Sequence, residues 1–362
     1  MFQHRLLQHH MLQRRSRLAR LVLLFGIVCS LSGSAWGRSV RVFTHSSFNI
    51  STAIIEAFSQ ETGISVEFIE GGDAGETLNR AILTRDNPLA DVLFGVDNSL
   101  IARARSADIF QPYRSPMLEH VAAEFRFDPD DLVTPISVGY VNFNYDRAWF
   151  AERGLEPPQD LDALLEPAYR GLTVVMDPAT SSPGLAFMLT TIDRYGEDWL
   201  EFWAALRDND LQVSNGWSSA YYTAFSLYGG NRPIVLSYAT SPAAEVIFAD
   251  DVLEQAPSGN LFCSSCVFEQ IEAVGILRGA RDLEAAQAFI DYMLSLEFQE
   301  DIPLNMFVYP LHQDATLPPA FDAFAPIPDP AERASVNAEL LEDTLQDWLE
   351  AWTRVVLQGQ QP

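Results

Sequence analysis

The run M-D-P-A-T-S-S-P-G-L at residues 176–185 places three consecutive hydroxyls, Thr180, Ser181 and Ser182, just after an apolar stretch at 172–176. Ser182 followed by Pro183 reads as a helix opening: the hydroxyl can cap a backbone N–H, and the proline sits where no donor is needed. A strand that ends in such a turn and feeds a helix offers hydroxyls and unpaired amides to a polar ligand. The same arrangement recurs. An apolar run at 233–238 delivers Tyr238, Thr240 and Ser241, Gly216 introduces Trp217, and Thr44, His45, Asp73 and Asp97 stand at the ends of three further strand-like runs. These groups suit an organic cation. Aromatic faces attract a desolvated cation by about 0.5–2 kcal/mol each. Carboxylates accept amino hydrogen bonds and offset positive charge, while hydroxyls and a helix start would take an alcohol or phosphate tail.

The elements that must position these residues alternate. Strand-like runs at 40–44, 64–69 and 90–95 are separated by amphipathic stretches at 52–60 and 76–83. The pattern restarts with strands at 137–145, 172–176, 211–214 and 233–238, and helices at 160–165, 182–195, 199–206 and from Gly216 through Tyr228. Such alternation implies right-handed crossovers and mostly parallel sheets, with ligands bound beyond the carboxyl ends of the strands. Residues 272–277 read as an extended run crossing back to the first lobe, followed by a helix at 283–296 and proline-rich loops at 310–330. A last helix is expected over 329–357, opened by Asp329, Pro330 and Glu332 in capping-box positions. Its apolar residues Leu341, Leu345, Trp348, Trp352 and Val355 share one face, which we read as a packing face.

The first 37 residues run from a basic segment through an apolar core to small residues, with Ala35 and Gly37 at the −3 and −1 positions of a secretory signal peptide. The mature chain then starts at Arg38, carries 18 arginines against 49 acids and no lysine, and has a net charge near −31. That charge disfavours nucleic acid and anionic membranes as partners. The lack of lysine excludes Schiff-base chemistry and a Walker site. No later stretch is apolar for the ~18 residues a membrane span needs. Neither G-x-S-x-G nor H-E-x-x-H is present, so we assign no catalytic residues and no metal or cofactor. Cys263 and Cys266 form a C-S-S-C run. In an exported chain a disulfide is the leading reading, with a redox pair or two core thiols as alternatives.

At these residues the chain resembles a known family. The stretches A-D-V-L-F-G-V-D-N (90–98), D-P-A-T-S-S-P-G-L (177–185), N-G-W-S-S-A-Y (215–221), L-S-Y-A-T-S-P-A (236–243) and I-P-L-N-M-F-V-Y-P (302–310) are similar, in order, to thiamine-binding periplasmic components of ABC importers. The resemblance implies an α/β, two-lobed periplasmic-binding-protein fold of type II, with residues 38–137 and 275–362 as lobe I and 138–274 as lobe II. It implies a monomeric receptor for thiamine and its phosphate esters in the periplasm, delivering to an inner-membrane ABC permease. Carried over by position, the ligand contacts are Asp73, Ala74, Ser181, Ser182, Trp217, Tyr238, Ala239, Thr240, Ser241 and Pro242. The family motifs often have Tyr where this chain has His45, Trp where it has Phe307, and Asp where it has Ser137; His45 and Phe307 are therefore also expected at the ligand. Two other readings stay open. The Tyr221–Tyr222 doublet is of the kind that phenolate ferric-iron receptors use, and an exported thiamine-degrading or phosphate-cleaving enzyme would need Cys263 or Cys266 as its nucleophile.

Overall fold

β-branched and aromatic residues put β1 (Ser39–Thr44) at the centre of a parallel trio with β2 (Ser65–Glu70) and β3 (Val92–Asp97), and every residue of β3 is buried. Between them run α1 (Thr52–Thr62), closed by Gly63 at φ 71°, and α2 (Ala74–Leu83). Only glycine enters that left-handed region without strain, which is why the helix stops there. In this computed structural model residues 37–336 and 338–362 are described; the expected signal peptide lies outside them except for Gly37.

A second parallel trio comprises β8 (Ile234–Tyr238), β6 (Thr173–Met176) and β7 (Gln212–Ser214). Two long strands join the trios. β5 (Thr134–Asp146) pairs antiparallel with β8 through its later residues and with β10 (Phe268–Leu277) through its earlier ones, and β10 pairs antiparallel with β3. The sheet order is therefore β2-β1-β3-β10-β5-β8-β6-β7, with β4 (Phe110–Gln111), β9 (Ser258–Leu261) and β11 (Tyr309–Pro310) attached off this path. Both crossing strands are irregular at one place: the register of β10 shifts around Glu272 and Ala273 against β3 and β5. Such a bulge bends the strand and re-aims a side chain. Ile136, which the shift leaves unopposed, gives its carbonyl to the buried Gln299 amide at 3.0 Å.

The remaining helices are α3 (Ile101–Ser106), α4 (Arg147–Arg153), α5 (Ser182–Tyr195), α6 (Trp199–Asp208), α7 (Ser241–Ile247), α8 (Leu283–Met293), α9 (Leu296–Asn305), α10 (Pro319–Phe324) and α11 (Ala338–Trp352). The first ten residues of α5 are all buried, because it packs on β5, β6, β8 and β10 at once. α11 packs against both α3 and α6, where Trp352 meets Trp203 edge to face at 5.4 Å.

Four expectations need correction. The helix expected from Gly216 through Tyr228 is one α turn (Trp217–Ser219), a π turn (Ala220–Ala224) and, after an extended Phe225, a 3-10 turn. The helix expected over 283–296 is two, because Ser295 caps a new one by accepting from the Phe298 N–H. The capping box at Asp329 and Glu332 exists, but it opens a 3-10 turn (Pro330–Glu332) that α11 does not continue. Cys263 and Cys266 are free thiols, a dithiol in place of the expected disulfide.

Candidate functional site

Three antiparallel steps separate β3 from β8, so the two trios run toward each other and their carboxyl ends face a shared cleft of about 360 Å³. β1 brings His45, α2 brings Asp73 and Ala74, α5 brings Ser182, and the strands β7 and β8 bring Trp217, Tyr238, Thr240 and Ser241. Phe307 completes the rim beside β11. Nine of the twelve expected ligand residues thus line one space. Ser181, Ala239 and Pro242 do not; they are buried in the wall behind it.

Asp73 joins the two trios. Its Oδ1 accepts from the Ala74 N–H at 2.6 Å, capping α2. Its Oδ2 accepts from the Trp217 N–H at 2.7 Å and from the Ser181 hydroxyl at 3.1 Å, both across the cleft. Gly216 makes the approach feasible, since a Cβ there would lie 2.8 Å from Asp73 Oδ2. The Ser182 hydroxyl does not cap α5, contrary to the sequence reading: it donates to Asp97, and the hydroxyl of Ser181, which precedes the helix, is taken by Asp73. A buried carboxylate gains more from a hydroxyl than a helix end does, because its desolvated charge needs partners. Ser182 also accepts from Gln270 at 2.9 Å, whose carbonyl accepts from the Tyr238 hydroxyl at 3.1 Å.

The cleft is aromatic and acidic. Trp217 donates its indole N–H to Ser237 at 2.9 Å and stacks on Tyr221 at 4.9 Å, with the planes 16° apart. Tyr222, Tyr228 and Tyr238 extend this wall, and Phe248 meets Phe307 at 5.0 Å. Phe307 holds φ 54°, a left-handed conformation that costs a non-glycine residue about 1–3 kcal/mol and tends to persist at ligand sites. Asp73, Glu245 and Glu272 line the cleft, and Asp97 lies beneath it, wholly buried. No arginine lines it among the described residues, and the chain has no lysine.

These charges act on one another. Burial alone would depress His45, but Glu272, with its Oε1 at 2.9 Å from Nε2, assisted by Asp73 and Asp97, raises its pKa above the ordinary 6.5. Burial raises Asp97, in part offset by hydrogen bonds from Ser182 and Ser99. Burial likewise raises Glu245, against hydrogen bonds from the Tyr221 hydroxyl at 2.6 Å and the Ser258 N–H at 2.8 Å. Burial also lifts Tyr221 and Tyr238 well above 10, with acidic neighbours adding to it. One hydroxyl is left over: Thr240 Oγ1 is buried, lines the cleft and has no partner.

Glu245, Gln270 and Glu272 were missed in the sequence. A signal existed for two of them: Gln270 and Glu272 share a face, two residues apart, in a strand whose other residues are apolar but for Glu269. Elsewhere, His120, His312 and Asp314 each bring a ligand atom within 4.8 Å of the others. The two imidazoles are stacked at 4.6 Å, however, and His312 Nδ1 accepts from the Asp314 N–H at 3.2 Å, so their lone pairs do not converge.

The profile of the bacterial extracellular solute-binding proteins matches residues 87–335. A thiamine-binding periplasmic protein of Salmonella typhimurium is 28% identical over 321 residues, covering 88% of this chain and 93% of the relative. A solved periplasmic thiamin binding protein superposes with a TM-score of 0.79 at 28% identity, over 90% of this chain and 98% of that one. Iron-bound HitA from Pseudomonas aeruginosa superposes at 0.71 with 18% identity, covering 88% and 99%, a likeness of fold alone.

Proposed function

The chain belongs to the bacterial extracellular solute-binding proteins, and from that premise we propose that it is a periplasmic receptor, not an enzyme, that binds thiamine and delivers it to an ABC permease in the inner membrane. The observation that carries this reading is the cleft's composition. It has stacked aromatic walls, three lining carboxylates and no basic residue other than His45 among the described residues, which suits a flat organic cation. Thiamine carries a thiazolium charge, an aminopyrimidine and a hydroxyethyl tail. Trp217 and Tyr238 would stack on the rings. Asp73 and Glu272 would offset the charge, and the unpartnered Thr240 hydroxyl would meet the tail. Phosphate esters would place their tails at the same hydroxyl and bind more weakly, because Asp97 and Glu272 repel them.

Residues 38–137 with 275–362 form one lobe in this reading and 138–274 the other, with the hinge in β5 and β10. The receptor acts as a monomer. A ferric-iron site is the rival, since Tyr221, Tyr222 and Tyr228 all reach the cleft. It is opposed by Tyr221's bond to Glu245 and by burial, which lifts the phenols and disfavours the phenolate that iron needs.

The test is a tryptophan-fluorescence titration of ligand-free mature protein with thiamine, repeated with Trp217→Ala. Saturable quenching that the substitution weakens tens- to hundredfold is expected, from about 2–3 kcal/mol of stacking and buried area. No response to thiamine, together with phenolate-to-iron colour on adding ferric citrate, would overturn the reading in favour of iron.

A further inference from the structure

Far from the chemistry of the cleft, the C-S-S-C run at 263–266 lies between β9 and β10, at the start of a strand that crosses between the two trios. Its sulfurs are placed unequally. Cys266 is 3% exposed and Cys263 is half-buried. The Cys263 N–H points at Cys266 Sγ, 2.6 Å away, and the Cys266 thiol donates to the Cys263 carbonyl at 3.0 Å, so the loop already folds one cysteine onto the other. Ser265 between them takes φ 45°, a left-handed turn position that brings the loop round. Arg194 stands over it: one guanidinium nitrogen lies 4.0 Å from Cys263 Sγ and also donates to the Ser264 carbonyl. A polar notch lined by Asp162, Asp193, Arg194, Tyr195, Ser264 and Ser265 gives a small molecule access to this side.

The loop also holds another segment in place. The N–H groups of Ser265, Cys266 and Val267 donate to the carbonyls of Ala331 and Glu332 at 3.2, 2.9 and 3.0 Å, and Ala334 donates back to Val267 at 2.8 Å. Arg333 adds an ion pair to Glu269 of β10 at 2.7 Å. Residues 331–334 are thereby strapped to the crossing strand, ahead of α11.

We propose that Cys263 and Cys266 are a redox-active dithiol, in which Cys263 exchanges with a low-molecular-weight disulfide and Cys266 closes the internal bond, stiffening the seat of the 331–334 strap. The neighbouring Cys266 side chain holds Cys263 below its ordinary value, aided by Arg194, while the Cys263 side chain and burial hold Cys266 above its own. The thiolate of Cys263 attacks one sulfur of the disulfide R–S–S–R, giving Cys263–S–S–R and R–S⁻, which takes up the proton Cys263 released. That step removes the neighbouring thiolate charge that kept Cys266 protonated. Cys266 then loses its proton to water and attacks Cys263 Sγ, displacing a second R–S⁻. Two protein thiols are oxidised to one disulfide, and R–S–S–R is reduced to two R–S–H.

The experiment uses the reduced mature protein with glutathione disulfide, followed by intact mass and by amide exchange. Wild type should lose two hydrogens, and Cys266→Ser should stall as a glutathione adduct. Cys263→Ser should form its adduct about tenfold more slowly, because its remaining thiol is buried and protonated. The amides of Cys266 and Val267 should exchange more slowly in the oxidised protein. The proposal is overturned if wild type keeps both thiols at every glutathione ratio, or if Cys263→Ser reacts as fast as Cys266→Ser. Equal amide exchange in the two states would overturn the coupling to the strap. Both variants replace sulfur by oxygen at nearly constant volume, and circular dichroism checks that each is folded.

Discussion

Replacing Asp73 by asparagine tests whether the carboxylate that joins the two trios governs affinity. In the native site Oδ1 caps α2 through Ala74, while Oδ2 accepts from Trp217 N–H and Ser181. Asparagine keeps one acceptor, which the cap at 2.6 Å retains. Its amide group then faces the Trp217 N–H, a donor against a donor. Ser181 can rotate and accept from the new amide, so its bond survives with a changed direction. The net loss is one charge-assisted bond, about 1.5–3 kcal/mol. Because that bond closes the cleft, its loss lowers the population of the binding-competent form and raises the apparent Kd by roughly 10- to 150-fold. Calorimetric titration with thiamine measures this directly. Thermal unfolding should change little, since the helix cap is kept, whereas Asp73→Ala should lose about a further 1 kcal/mol of stability with the cap. A Kd for Asp73→Asn within twofold of wild type would refute the clamp.

Thiamine diphosphate should bind about fivefold or more weakly than thiamine, because like charges near 4 Å cost about 1 kcal/mol or more even when well screened; competition against thiamine quenching measures it, and equal affinity would count against the charge argument. His45 has a folded-state pKa raised above 6.5, so its contribution to stability is fully present below about pH 6.5 and is lost as pH rises through the folded value. Urea unfolding across that window should show a decline in wild type that His45→Gln removes; parallel curves would contradict it. Trp352, wholly buried with no partner for its indole N–H, should cost about 3–5 kcal/mol as alanine. Phenylalanine at the same position should cost less than about 1.5 kcal/mol, since it removes a buried unpaired donor and keeps most of the ring.

Much of the fold is legible in the sequence because it rests on local rules. The alternation of β-branched runs with amphipathic stretches sets the order from β1 to β8, Gly63 ends α1, and the strand ends foretell that His45, Asp73, Trp217 and Tyr238 share a rim. The residue types at those ends, rings and carboxylates with almost no bases, already point to an organic cation. What the tertiary structure alone decided depends on partners distant in the chain. Ser182 looks like a cap within its own turn, yet Asp97 takes its hydroxyl and Asp73 that of Ser181, both about a hundred residues away. The 217–228 stretch has helical spacing, but the turn breaks at Phe225, which is wholly buried with an extended backbone. Glu245, Gln270 and Glu272 become cleft residues only because the sheet closes as it does and the register between β10 and its neighbours shifts beside Glu272. Periodicity records which face of an element is wet or dry; it carries no information on which other element will supply the charge that a buried hydroxyl must answer.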